Sequence, residues 1–260
     1  MDAAVAVECG NLVQAAYAGY ATDQTVPDPD TVALPEGYTL VRTIQMRDLA
    51  GLGPVLFGFL AVGGSPRTQV IALRGTATPA EWVDDLHWTP VAFPQAGTGG
   101  HVADGFLGLY DTLTSAEPGK PGTPAGTAGL AAAVDPALPL VVTGHSLGGA
   151  LATLLAADLA ANTPLTPQVW TFASPKVGDA AFAARFGQLC PVSWRIHNIV
   201  DVVPYFPVDP ADAYRDVATG YPVDSLPVAR WSLGCAHALN TYLTCLAPET
   251  VPIAANCRRG

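Results

Sequence analysis

The chain predicts an α/β fold with a central, mostly parallel sheet flanked by helices. Three observations carry that reading. The apolar run Leu138-Pro139-Leu140-Val141-Val142-Thr143 gives way, across a glycine-rich turn, to the alanine- and leucine-rich stretch 150–161, the pattern of a buried strand feeding a helix. Strand-like and helical stretches alternate on both sides of it. Half of the 260 residues are hydrophobic and only 13% are charged, which suits one large α/β domain, 1–260, with a sizeable core and argues against disorder.

Taken in order, residues 3–20 form a helix with an apolar stripe of Val5, Leu12, Val13, Ala16 and Tyr17. Val26-Pro27-Asp28-Pro29-Asp30 breaks it. Three strands follow at 38–46, 55–62 and 69–73, rich in β-branched and aromatic residues and punctuated by Gly and Pro. A helix is expected at 104–114 and resumes at Leu130, split by the breaker-rich surface insertion 117–126. After the central strand and helix come strands at 168–173 and 193–200, with a helix at 179–188 between them.

Charge and cysteine content bound the partners. A net charge of −10 repels phosphate backbones, so no nucleic-acid partner is expected. The most apolar stretch, 138–160, contains His145, Ser146 and three glycines and suits a strand and helix better than a membrane span. Met1-Asp2 has no basic segment ahead of an apolar run, so this stretch contains no signal peptide, as in a secreted protein lacking its leader; secretion is the expectation and a cytoplasmic location the alternative. Five cysteines are an odd number. Cys9 with Cys257, near the two termini, and Cys235 with Cys245, ten apart, are candidate bridges; the alternative is five reduced, small hydrophobes.

The chemistry centres on Gly144-His145-Ser146-Leu147-Gly148-Gly149. Glycines two residues either side of a serine, between strand and helix, permit a nucleophile elbow, which projects the serine at a helix N-terminus where backbone N–H groups favour negative charge. A serine hydroxyl needs a base, and the base an orienting acid. Two histidines follow Ser146: His197, inside an alternating strand run, and His237, in a loop entering a short helix. Loop placement favours His237. Asp201 stands at the end of the 193–200 strand and is the acid; Asp179 suits a helix N-cap, and Asp209, Asp212, Asp216 and Asp224 suit a solvated proline-rich loop. Oxyanion donors are expected from the Leu147 N–H and from Arg74-Gly75-Thr76 at the end of the third strand. Thr78-Pro79-Ala80-Glu81 is a capping box starting a short helix that carries Trp82, Val83 and Leu86 on one face, with Trp88 just beyond. This segment, 78–88, is a candidate lid or substrate-binding flap; a core-packed helix is the alternative.

Together these pieces resemble the class 3 lipases, the filamentous-fungal type of triacylglycerol lipase on an α/β-hydrolase fold. The matching motifs are Arg74-Gly75-Thr76, Trp82-Val83-Asp84-Asp85-Leu86, Val102-Ala103-Asp104-Gly105-Phe106, the elbow 142–152, 171–179, Asn198-Ile199-Val200-Asp201-Val202-Val203-Pro204, and His237 with Tyr242. The resemblance implies a catalytic triad of Ser146, Asp201 and His237, an oxyanion hole at Thr76 and Leu147, a lid at 78–88, no metal or cofactor, and an ester or lipid substrate met at a lipid–water interface. Leu73 and Ala173 depart from the phenylalanine and glycine usual there, and the 117–126 insertion has no counterpart. Feruloyl esterase or phospholipase A1 activity is the alternative on the same scaffold, and a non-catalytic binding module the alternative of another class.

Overall fold

The computed structural model describes residues 1–26, 32–47, 53–76, 87–97, 99–123, 126–208 and 213–260. Its centre is an eight-stranded sheet built from β1 (Thr39–Arg47), β2 (Pro54–Gly63), β3 (Thr68–Leu73), β6 (Thr114–Ala116), β7 (Leu140–His145), β8 (Gln168–Phe172), β10 (Ser193–Asn198) and β12 (Thr219–Val223). The order is β12-β10-β8-β7-β3-β2-β1-β6. From β12 to β3 every pairing is parallel; β2, β1 and β6 then add antiparallel strands at one side. This is the α/β-hydrolase arrangement, with the apolar 138–143 run as strand β7 at its middle.

Helices cover both faces. Residues 147–159 of α4 (Leu147–Asn162) are all buried, so this helix is enclosed on every side, with Thr153 donating to Gly149 O and Asp158 accepting from the Tyr110 hydroxyl as its buried polar members. It packs into one core cluster with Phe57, Leu60, Ile71 and Val142. On the other face α1 (Ala3–Thr22), capped by the Asp2 carboxylate, and α7 (Leu239–Leu246) enclose Leu12, Phe59, Ala72, Trp170 and Tyr242. Strand β2, like β3, feeds both clusters by alternation, but a bulge shifts its phase part-way. Gln45 pairs with Leu56 and Ile44 with Gly58, leaving Phe57 as the extra residue, and the side chains change face there.

Smaller elements depart from expectation. The helix expected over 104–114 ends early, as α2 (Asp104–Tyr110), because Thr114–Ala116 adds to the edge of β1 as strand β6. The helix beyond the 117–126 insertion begins at Gly126 and is short, α3 (Gly126–Ala131). A second sheet, absent from the sequence reading, orders β11 (Tyr214–Arg215), β9 (Gly178–Asp179), β5 (His101–Ala103) and β4 (Pro90–Ala92). Asp179 caps α5 (Ala180–Leu189), its carboxylate accepting from the Phe182 N–H at 2.8 Å. Among the described residues, no helix is long and apolar enough to cross a membrane.

The disulfide is a correction. Cys235, in α6 (Leu233–His237), is bonded to Cys257, whereas Cys9, Cys190 and Cys245 are free thiols. Neither Cys9–Cys257 nor Cys235–Cys245 forms. The tail folds back on the segment ahead of α6, with the Arg230 N–H donating to the Cys257 carbonyl, which brings residue 257 to residue 235. Cys9 is meanwhile committed to the buried face of α1, where desolvation raises its thiol pKa far above the ordinary value.

Candidate active site

Ser146 joins β7 to α4 at φ 58°, ψ −128°, a left-handed backbone conformation uncommon outside glycine. The surroundings hold it there: the Ser146 N–H donates to Phe172 O at 2.9 Å, and Ser146 O accepts from the Gly149 N–H at 2.8 Å. The flanking glycines are required by contact. A Cβ on Gly144 would lie 2.1 Å from Gly148 O, and one on Gly148 would lie 2.4 Å from Arg74 O. Strand, helix and the 74–76 turn thus meet backbone to backbone.

The expected partners converge on the serine. His237 Nε2 lies 2.9 Å from Ser146 Oγ, and His237 Nδ1 lies 2.7 Å from Asp201 Oδ2. All three residues are buried. Asp201 lies three residues past the end of β10, in a turn closed by its N–H donating to Asn198 O at 3.0 Å, and its other oxygen accepts from the Val203 N–H at 3.0 Å. A fourth residue joins them: the Tyr242 hydroxyl accepts from the Asn198 N–H at 3.0 Å and donates to Asp201 Oδ2 at 2.7 Å. Burial and the adjacent carboxylate push the Tyr242 hydroxyl pKa well above its ordinary value, so it acts as a neutral donor. Asn198 also ties the loops together, its side-chain amide donating to Ser225 Oγ and Ala236 O, each at 2.8 Å.

The rejected candidates sit elsewhere. His197 is half-buried in mid-strand, its Nδ1 3.4 Å from Arg195 O. Asp216 pairs with Arg195 at 2.8 Å, and Asp224 accepts from the Leu226 N–H. Asp209 and Asp212 lie outside the described residues, as do Trp82, Val83 and Leu86 of the candidate lid. Trp88 is described, with its ring edge-on to Phe106 at 5.4 Å.

The two expected oxyanion donors flank Ser146. Leu147 is the first residue of α4, so its N–H has no acceptor within the helix. A Cβ on Gly75 would lie 2.9 Å from Ser146 Cβ, which places the 74–76 turn against the serine. Thr76 Oγ1 is buried and without a hydrogen-bond partner among the described residues. A buried hydroxyl in that state is a donor waiting for an acceptor.

One network was not anticipated. The Gly75 N–H donates to the Tyr17 hydroxyl at 2.8 Å, and that hydroxyl meets His145 Nδ1 at 2.9 Å. His145 Nε2 lies 2.9 Å from the His237 carbonyl, which can only accept. Nε2 therefore carries the proton, Nδ1 is the acceptor, and Tyr17 donates to it. Burial and the neighbouring His237 lower the His145 pKa to about 3, so its ring stays neutral. Arg74 completes the support: its guanidinium sits 3.5 Å over the Tyr20 ring, with Nε donating to Leu56 O and Nη1 to Gly75 O. Helix α1 thereby holds the oxyanion turn, the elbow and the His237 backbone at once.

Residues 70–210 match the class 3 lipase family. The chain belongs to the class 3 lipases. This class 3 lipase is 30% identical to phospholipase A1-II 7 of Oryza sativa subsp. indica over 92% of its own length and 69% of the relative's. It is 35% identical to phospholipase A1-II 4 of Oryza sativa subsp. japonica, over 61% of its length and 44% of that protein's. It spans about half the length of several such relatives. Its fold matches the Rhizomucor miehei triacylglyceride lipase with a TM-score of 0.67 at 25% identity, covering 86% of this chain and 81% of that one.

Proposed function

We propose that this class 3 lipase is a carboxylic-ester hydrolase working through an acyl-enzyme on Ser146. The single observation that carries the reading is the unbroken line from Ser146 Oγ through both ring nitrogens of His237 to Asp201; at its serine end lies the 74–76 turn, whose Thr76 hydroxyl is buried and without a partner among the described residues. His237 Nε2 takes the hydroxyl proton as Oγ attacks the ester carbonyl, while Asp201 fixes the Nδ1–H tautomer and stabilises the imidazolium that forms. The new oxyanion is met by the Leu147 N–H and by Thr76. Collapse breaks the bond to the alcohol oxygen, which leaves with the proton from Nε2. Water, deprotonated by the same nitrogen, then releases the acid and restores the serine.

The substrate class is a lipid ester, with triacylglycerols and simple carboxylic esters as the first reading. Phospholipase A1 activity is the second, supported by similarity to plant proteins named for it. The Cys235–Cys257 disulfide supports an oxidising, secreted setting.

Replacing Ser146 by Ala is expected to lower ester turnover about a millionfold, as removal of a triad serine does elsewhere. A fluorophosphonate probe should label Ser146 in the native protein and leave the variant unlabelled. Near-native turnover in the variant removes Ser146 as the nucleophile, whereas a native protein that neither turns over esters nor takes the label favours a non-catalytic module. Comparing p-nitrophenyl esters of different chain length, feruloyl esters, triglycerides and phosphatidylcholine then separates the substrate readings.

A further inference from the structure

Exposed large hydrophobic side chains are unevenly spread over this protein. Among the described residues, all of them except Val192 lie between 199 and 233, in the loops leaving β10 and β12 that lead to Asp201 and His237. The loops are continuous in space: the Ile199 N–H donates to Val223 O, and Asn198 bonds both Ser225 and Ala236. At the His237 end of this rim stand Trp231, 68% exposed, and Leu233, 58% exposed. Single exposed apolar residues need no explanation, but a tryptophan so exposed, with Leu233 also exposed two residues on, does.

Beside that tryptophan lies a basic island. Arg230, Arg258 and Arg259 are all exposed and are gathered by backbone contacts: Arg230 Nε donates to Asn256 O at 2.7 Å, and Arg259 Nε donates to Ala229 O at 3.3 Å. The Cys235–Cys257 bond fixes the two segments against each other. Three of the twelve lysines and arginines therefore share one spot on a chain of net charge −10. Among the described residues, none of the three guanidinium groups is paired with a carboxylate.

An exposed indole bordered by guanidinium groups matches the boundary of a phospholipid layer. The ring settles at headgroup depth, Leu233 reaches the acyl region, and each guanidinium binds phosphate oxygens with a planar fork. The general acidity of the chain opposes a nucleic-acid partner and confines attraction to this edge. We propose that Arg230, Trp231, Leu233, Arg258 and Arg259 form a docking edge that seats this protein on a phosphate-bearing lipid surface, beside the loop that delivers His237. The proposal rests on the lipid-ester reading and adds to it the surface that is met first.

Vesicle co-sedimentation tests it, using the Ser146→Ala protein so that no lipid is consumed. Binding to phosphatidylcholine vesicles should strengthen when phosphatidylglycerol is included and weaken as salt is raised. Arg258→Gln with Arg259→Gln should weaken binding to the phosphatidylglycerol vesicles by about 25-fold, about fivefold for each cation. Trp231→Ala should weaken binding to both vesicle types by about tenfold, from its lost apolar contact. Unchanged thermal midpoints establish that the variants are folded. Indifference to phosphatidylglycerol, or native binding by both variants, overturns the docking edge. Hydrolysis of a soluble ester by the unsubstituted protein is scored separately: its absence removes the hydrolase reading and leaves the binding result standing.

Discussion

Tyr17→Phe removes one oxygen and leaves the aromatic ring in place, so its effect isolates the link between α1 and the site. That oxygen accepts from the Gly75 N–H at 2.8 Å and donates to His145 Nδ1 at 2.9 Å. Without it two interior polar groups lose their partners, each worth about 1–3 kcal/mol when left unsatisfied. The expected loss of unfolding free energy is about 2–4 kcal/mol, below the full sum because the two groups relax together. Catalysis should suffer as well. The Gly75 peptide precedes Thr76, the proposed oxyanion residue, and a shift of about 1 Å in such a turn costs about a hundredfold in rate. The loss should fall on kcat rather than KM, because the turn meets charge that exists only in the transition state. Urea unfolding and steady-state hydrolysis of a soluble ester measure the two effects on one preparation. A variant with the native urea midpoint and native kcat would falsify the claim that this hydroxyl organises the site.

Two further outcomes are open to direct measurement. His145 has a folded pKa of about 3 against about 6.5 when unfolded, so below pH 6.5 the unfolded chain binds the extra proton and stability falls as pH drops towards 3, by about 1 kcal/mol per pH unit. His145→Gln, which can still accept from Tyr17 and donate to the His237 carbonyl, should lose less stability than the native protein between pH 7 and pH 5 in urea titrations; equal losses contradict the assignment of a buried neutral ring. Gly148→Ala puts a methyl 2.4 Å from both Leu73 O and Arg74 O and should cost about 3 kcal/mol or more or prevent folding, whereas Gly108→Ala meets nothing within 4 Å in a helix and should be neutral or stabilising by up to about 1 kcal/mol. Thermal unfolding of the pair checks this, and similar midpoints contradict the close approach at the elbow.

The central strand, the elbow and its acid and base were legible because each leaves a local trace. Leu140 and its apolar neighbours are buried on both faces, Gly144 and Gly148 mark a close approach, and Asp201 comes just after its strand. His237 was separable from His197 because the segment ahead of it breaks the pattern whereas His197 continues an alternating run, although that segment forms a short helix ending at His237 rather than a loop. Strands of two or three residues such as Gly178–Asp179 are too short to show a period, so the second sheet was invisible. Tyr17 read as one more member of an apolar helix stripe, since nothing in its own neighbourhood signals a hydroxyl partner 58 residues away at Gly75. Arg74 is legible in the sequence only as the first residue of the expected oxyanion turn 74–76, and its burial against Tyr20 is a product of tertiary packing. Cysteine spacing misled because residue 257 reaches residue 235 through a returning tail, and spacing holds no record of such a return.

The bond between Cys235 and Cys257 also sets a schedule for synthesis. A ribosome releases Ser146, Asp201 and His237 in turn, and strands β3, β7 and β8 can associate while translation continues. The segment bearing His237 receives its covalent tether only after residue 257 has emerged and an oxidant has met both thiols. The segment bearing His237 is therefore the last part of the proposed site to be tied in place, after most of the sheet has formed.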